Sequence, residues 1–276
     1  MFVKRAISGV ILTIIALLCF IFGNELLLGV SIFISIVGYL ELCKATGVGG
    51  KDKKFCALEA VGIAGILSYY ATLYFLPGQT IYMVMSFIGV FMLSMLVYVI
   101  SFPKYVAEQV MANVFHFVYA PVMLSFIYLT RQLPGETGFY LVWLILISSW
   151  GSDTCAYLVG ICIGKKKIFP VLSPKKSLEG CIGGVIGAGL LGFLYSFFFL
   201  KELLPEPHIP YLIMAICMIG AVMSQIGDLA ASAIKRNHDI KDYGKLIPGH
   251  GGIMDRFDSV IVTAPMVYFL VRIVIG

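Results

Sequence analysis

The sequence predicts an all-α, polytopic integral membrane protein with about nine transmembrane helices and a cytoplasmic N-terminus. Three observations carry that prediction. Of the 276 residues, 60% are hydrophobic and only 13% charged, whereas roughly half of a soluble domain is apolar. The apolar residues come in continuous runs of about 20, long enough to cross a bilayer. Hydrocarbon offers the backbone no water, so such runs must close their own hydrogen bonds as helices, and their length disfavours a β-barrel. Finally, with nine spans and the N-terminus inside, Arg131, Lys201 and Arg272 fall outside, and the other 17 of the 20 Lys and Arg fall inside. That split obeys the positive-inside rule, and adding or losing one span would scatter it.

Taken in order, Lys4 and Arg5 precede an apolar run over 7–22. Its exit, Phe22-Gly23-Asn24-Glu25, offers no small-residue cleavage site, so the run reads as a retained first span rather than a signal peptide. Further spans are expected at 26–42, 55–76, 81–101, 110–129, 139–150 (with room to extend into the polar segment that follows), 181–200, 211–231 and 257–275. Connections such as Pro77-Gly78-Gln79-Thr80 leave no room for a soluble domain. Residues 1–276 therefore read as a single membrane-embedded domain, with N-terminal helices over 1–150 and the chemistry-bearing half over 151–276. Only 151–180 and 232–256 are inside segments long enough for chemistry. The seven cysteines contain no CxxC pair and sit mostly in or beside spans, where Cys acts as a small hydrophobe. Neither disulfides nor zinc are expected. The net charge of +5 follows from the side on which the charges fall and implies no nucleic-acid partner.

Residues 151–180 read GSDTCAYLVGICIGKKKIFPVLSPKKSLEG. Asp153 is expected at a span end, and Lys165 to Lys167 as a membrane-surface anchor. Ser173-Pro174-Lys175-Lys176-Ser177 offers a Pro-fixed turn with two cations and a hydroxyl, suited to phosphate oxygens, and Glu179 follows. Two nucleotide motifs fail. A P-loop would need Gly where Val159 stands and Ser or Thr where Lys166 stands. Gly187, Gly189 and Gly192 satisfy GxGxxG but lie inside an apolar span with no preceding strand. With Gly183 completing a GxxxG, they read as sites of close helix packing.

Residues 224–258 are unlike the rest, with five Asp, five Lys or Arg and two His between apolar segments. Charged groups at a membrane segment's end are costly and tend to be functional, so this cluster calls for a charged ligand or metal. Asp228 has no adjacent cation in sequence. Pairing with a Lys of another segment and ligation of a metal both remain open for it. If the last helix begins near Asp255, then Asp255 and Asp258 share one face. Together with Asp228 they offer the hard oxygens Mg²⁺ uses, leaving positions for water and substrate phosphate. Gly249, Gly251 and Gly252 around His250 would let backbone approach an anion, and the helix start beyond them would offer free N–H groups. His250 also has the plain reading of a satisfied loop histidine, and His116 reads as a buried packing or hydrogen-bonded group. Lys235 and Arg236 suit a basic anchor, whereas the alternation in Lys241-Asp242 and Asp255-Arg256 exceeds one. Glu41 and Asn113 have no assignable role.

Ser232, Lys235, Arg236, Lys241, Asp242, Gly244, Pro248, His250, Gly251, Gly252, Asp255, Arg256 and Asp258, spread over 27 residues, fall at the spacing of the phosphatidate cytidylyltransferase signature. The chain thus resembles the CDP-diacylglycerol synthase family, by motif over roughly 153–258 and by hydropathy elsewhere. The resemblance implies that CTP and phosphatidic acid give CDP-diacylglycerol and pyrophosphate in phospholipid biosynthesis. It implies a multi-pass protein of the cell membrane, its active site facing the cytoplasm, assembled as a homodimer. Asp228, Lys241, Asp255, Arg256 and Asp258 become the expected catalytic residues. Asp153, Lys175, Lys176, Ser177, Glu179, Lys235, Arg236, His250, Gly251 and Gly252 become the expected substrate-binding ones. Mg²⁺ is expected on Asp228 and Asp255, and the family implies K⁺ as a second cation. The choice of cytosine rests on the resemblance alone. Two other functions use similar parts. A CTP-dependent kinase of a polyprenol-type alcohol would need a base for a neutral hydroxyl. A divalent-cation transporter would place acids near the midplane on repeated broken helices, and no repeat is visible.

Overall fold

Each apolar run closes its hydrogen bonds internally, and the helices follow from that. The computed structural model describes residues 2–49, 55–247, 249 and 251–275, with their side chains except those of residues 2–8, 10 and 12. The helices among the described residues are α1 (Phe2–Phe22), α2 (Asn24–Thr46), α3 (Ala57–Phe75), α4 (Thr80–Ile100), α5 (Ala107–Arg131), α6 (Thr137–Ile163), α7 (Leu178–Leu200), α8 (Ile209–Asn237) and α9 (Met254–Val274). Eight of them, α2 to α9, are long and apolar enough to cross a membrane, and α1 adds the shorter apolar stretch Thr13–Phe22. The described residues hold no strand, only isolated antiparallel bridges between Lys167 and Ser177 and between Ile247 and Gly251. The all-α polytopic fold is as expected.

The polar segments are shorter than the hydropathy implied. Helix α6 does not stop near Trp150 but continues through a π turn at Ile147–Gly151 to Ile163. Asp153 therefore lies well inside a helix rather than at a span end. Helix α8 runs for 29 residues, so Ser232, Lys235 and Arg236 are helical too. At about 1.5 Å per residue it is roughly 43 Å long, well beyond a hydrocarbon core of about 30 Å. Helix α9 begins at Met254, which puts Asp255 in its first turn as expected. Of the two segments expected to carry chemistry, the parts left outside helices are 164–177 and 238–253.

The chain divides into two compact units, each built from separate stretches. One comprises Met1–Ile15, Glu25–Ser125 and His238–Arg256, the other Ala16–Asn24, Phe126–Asn237 and Phe257–Gly276. The first unit buries Tyr39, Leu42, Leu58, Ile66, Tyr70 and Phe117 completely. Several of its buried polar groups are matched to one another, as an apolar surrounding demands. The Tyr39 hydroxyl donates to Asn113 Oδ1, Asn113 Nδ2 donates to Ser94 Oγ at 3.0 Å, and Ser35 and Tyr70 hydroxyls meet at 2.9 Å. His116 is buried between Cys43 Sγ at 3.5 Å and Thr46 Oγ1 at 3.4 Å, the hydrogen-bonded one of the two roles expected of it.

In the second unit α7 carries glycines on two sides. A Cβ at Gly183 would stand 2.6 Å from Val159 Cβ, and one at Gly187 2.5 Å from Cys155 Cβ, both on α6. At Gly189 and Gly192 it would stand 2.5 Å from Met218 Cγ and Cys217 Sγ on α8. The GxGxxG and GxxxG glycines are thus packing residues, and they serve two helix contacts.

Candidate active site

Each unit carries one of the two segments whose residues suggested chemistry. In the second unit, residues 164–177 fold back as a hairpin: Leu178 N–H donates to the Lys166 carbonyl at 2.8 Å, and Lys176 N–H to the Ser173 carbonyl at 3.1 Å, closing the turn expected at Pro174. Ser177 caps α7, its buried Oγ accepting from Gly180 N–H at 3.2 Å. Glu179 reaches back to accept from Lys165 N–H at 3.0 Å and Lys166 N–H at 3.2 Å. Of Ser177 and Glu179, both expected to meet substrate, Ser177 bonds the first turn of α7 and Glu179 bonds the hairpin backbone. A fold-back is invisible to spacing along the chain. The hairpin leaves Lys165, Lys166, Lys167 and Lys175 exposed.

Lys176 turns inward, with Nζ 2.6 Å from Asp228 Oδ2. The pairing of Asp228 with a Lys of another segment is therefore present. Asp153 lies within electrostatic reach of both. Beside Asp228, a Cβ at Gly227 would come within 2.7 Å of the Asp258 carbonyl, so α8 and α9 touch there. Asp258 Oδ1 accepts its neighbour Ser259 N–H at 2.9 Å. Lys235 and Arg236 end α8, where cations complement the helix C-terminus.

In the first unit, the loop 238–253 is fastened by two carboxyl groups. Asp255 Oδ2 accepts from Tyr243 N–H at 2.8 Å and from Gly252 N–H at 2.9 Å. Glu41 of α2 accepts from Ile253 N–H at 3.1 Å and Met254 N–H at 2.9 Å. The N–H groups at the start of α9, expected to await an anionic ligand, are thus met by the protein's own acids. Ile247 N–H donates to the Gly251 carbonyl at 2.8 Å, and Gly251 has φ +90, a conformation that favours glycine. Around this loop lies a cleft of about 650 Å³ lined by Lys241, Asp242, Lys245, Arg256, Ile247 and the backbones of Gly244, Gly249 and Gly251. Lys241 and Arg256, both expected, are brought together there. Lys245, which no motif position marked, joins them. His250 and Pro248 lie outside the described residues.

Among the described residues no group of three or more His, Cys, Asp or Glu is arranged to hold a metal ion. Sequence reasoning missed Glu41, although a lone acid in an apolar span was the signal that could have found it.

The sequence profile of the cytidylyltransferase family matches residues 3–274. Three relatives named phosphatidate cytidylyltransferase are similar to this chain. That of Bacillus subtilis strain 168 is 41% identical over 138 residues, 50% of this chain and 49% of the relative. That of Thermotoga maritima is 35% identical over 175 residues, 63% of each. That of Rickettsia bellii is 36% identical over 153 residues, 54% of this chain and 64% of the relative. The chain thus spans between about half and just under two thirds of the length of these relatives. With the profile running over nearly all of its residues, the chain belongs to the cytidylyltransferase family.

Proposed function

We propose that the protein is a phosphatidate cytidylyltransferase, joining CTP and phosphatidic acid into CDP-diacylglycerol and pyrophosphate. It works in the cell membrane as a homodimer, with its reactive loops on the cytoplasmic side. The observation that carries this reading is the cleft at the signature loop, where Lys241, Lys245 and Arg256 surround glycine backbone. Its volume suits a small polyanionic ligand. The family membership and the names of the relatives support the choice of nucleotide and lipid.

The phosphate of phosphatidic acid has a second pKa near ~6, so at neutral pH an ionised oxygen is ready and no general base is required. That oxygen attacks the α-phosphorus of CTP, the bond to the bridging oxygen breaks, and pyrophosphate leaves with the electron pair. The protein aligns the reactants and offsets their charge, as in phosphoryl transfer generally. Lys241, Lys245 and Arg256 neutralise the triphosphate and the departing pyrophosphate, and Gly251 and Gly252 let loop backbone approach them; His250 is a further residue proposed to bind substrate. Lys175 and the other exposed hairpin lysines draw the lipid headgroup, Ser177 and Glu179 hold the hairpin for it, and Lys235 and Arg236 add positive potential. Mg²⁺ suits carboxylates of this kind, since it takes one or two of them and completes its shell with water and phosphate. The ligands proposed for it are Asp228 and Asp255, and Asp258 is a further proposed catalytic acid; bound, it would polarise phosphate oxygens, and K⁺ is the second cation of this reading.

The test is incubation of the purified protein in detergent with CTP labelled at the α-phosphate, phosphatidic acid and Mg²⁺. Label is expected in the lipid phase. Entry of label only from the γ-position would establish lipid kinase activity instead. For orientation, single cysteines placed at Lys175 and Lys241 are expected to react with impermeant reagent from the cytoplasmic side, and those at Gln79 and Glu206 from the other side. Labelling of the 241 position from outside would overturn the topology.

A further inference from the structure

The signature loop is fastened by a residue that lies far outside it. We propose that Glu41, in the second helix, is a positioning residue: it sets the loop conformation in which Lys241, Lys245 and Arg256 line one cleft. Its carboxyl group, 9% exposed, uses both oxygens on the backbone, one for Ile253 N–H and one for Met254 N–H. These are orphan donors at a helix start, usually met by a Ser, Thr, Asp or Asn just before the first turn. Ile253 occupies that place and has no acceptor in its side chain, so the start of α9 depends on α2. The same carboxyl group stands where a Cβ at Gly244 or Gly252 would be, closer to each than any van der Waals contact allows. Two signature glycines thus make room for Glu41. Gly252 also donates its N–H to Asp255, so Glu41 and Asp255 divide three successive amides, Gly252 to Met254, between them.

The kinetic arm of the test rests on the proposed function; the structural arm does not. The purified full-length chain in detergent is digested briefly with trypsin, which reaches the exposed Lys241 and Lys245 in the loop and the exposed Lys175 in the hairpin. Leaving buried amides without acceptors makes the loop open more often, so Glu41→Ala and Gly252→Ala are each expected to speed cleavage at Lys241 and Lys245 by about ten- to a hundredfold. Cleavage at Lys175 stays unchanged, and Glu41→Gln, which keeps one oxygen, falls between. The kcat falls by a similar factor, while the KM for phosphatidic acid moves by less than about twofold.

The decisive variant is Glu41→Ala combined with Gly252→Ala. The new methyl occupies space the carboxyl group has left, so the pair is expected to be no worse than Glu41→Ala alone, the mark of residues in contact. Additive losses, cleavage accelerated equally at Lys175, or wild-type cleavage in Glu41→Ala would each overturn the proposal. A wild-type protein with no cytidylyl transfer would sink the functional reading, and the proteolysis of the single and paired variants would still decide the role of Glu41.

Discussion

Asp228→Asn and Asp255→Asn are each expected to lower transfer from CTP to lipid by more than roughly a hundredfold, the upper end of what losing even an outer-shell partner costs a metal site. Asn keeps the shape and removes the charge, so a hard anionic ligand becomes a neutral amide. At Asp255 the amide oxygen can still accept from Tyr243 and Gly252, whose N–H groups both point at Oδ2, and the loop should hold. At Asp228 the change also deprives Lys176 of the oxygen 2.6 Å away. A broken ion pair can destabilise a protein by itself, so monodispersity and thermal unfolding must be measured on each variant first. Asp239 is the control: it is exposed, lies in the same loop off the signature positions, and has φ +53. Asn tolerates that conformation as Asp does, so Asp239→Asn should keep near wild-type turnover. Folded Asp228→Asn or Asp255→Asn with normal Mg²⁺-dependent turnover would remove the metal assignment and leave family membership intact.

The second large effect falls on folding. Gly183→Leu and Gly187→Leu should abolish recovery of monodisperse protein, because α7 meets α6 at these points with no space even for a methyl group. Val159, opposite Gly183, is branched at the atom in contact and cannot swing aside. Overpacking of a tight interior costs about 1–3 kcal/mol for added methylenes, and here the added group meets atoms next to the main chain. Gly89 on α4 is the contrast, since a Cβ there meets nothing within 4 Å. Gly89→Ala should retain or raise the unfolding temperature, Ala being about 1 kcal/mol the better helix former. Size-exclusion profiles in mild detergent and thermal unfolding read both outcomes. Normal recovery of Gly183→Leu would mean that the two helices do not touch in the working protein.

The spans were legible because a bilayer acts on composition: apolar runs of sufficient length have one way to satisfy their backbone. Helix ends were not, because polar residues such as Asp153 or Lys235 can continue a helix wherever a neighbour or water supports them. Hydropathy records the same residues as a loop. In the loop 238–253 and the first turn of α9, residue type and spacing marked Lys241, Asp255 and Arg256, which are close in the chain. What those groups face depends on folded backbone, and the acceptor of α9's first amides lies 212 residues away. The same reason hid the backbone partners of Ser177 and Glu179. For Asp228 the residues left two roles open, and the ion pair with Lys176 became visible only once the hairpin was folded.

Glu41 also has a place in time. A ribosome adding about 5–20 residues per second delivers Ile253 and Met254 roughly 10–40 s after Glu41, given separations of 212 and 213 residues. Through that interval the second helix holds an acid in the membrane whose amide partners have not been made. The acceptor exists before its donors, so the nascent bundle carries a polar flaw that only the last helix repairs. A chain cut short before residue 253 would keep that acid without the two amides that meet it in the folded protein.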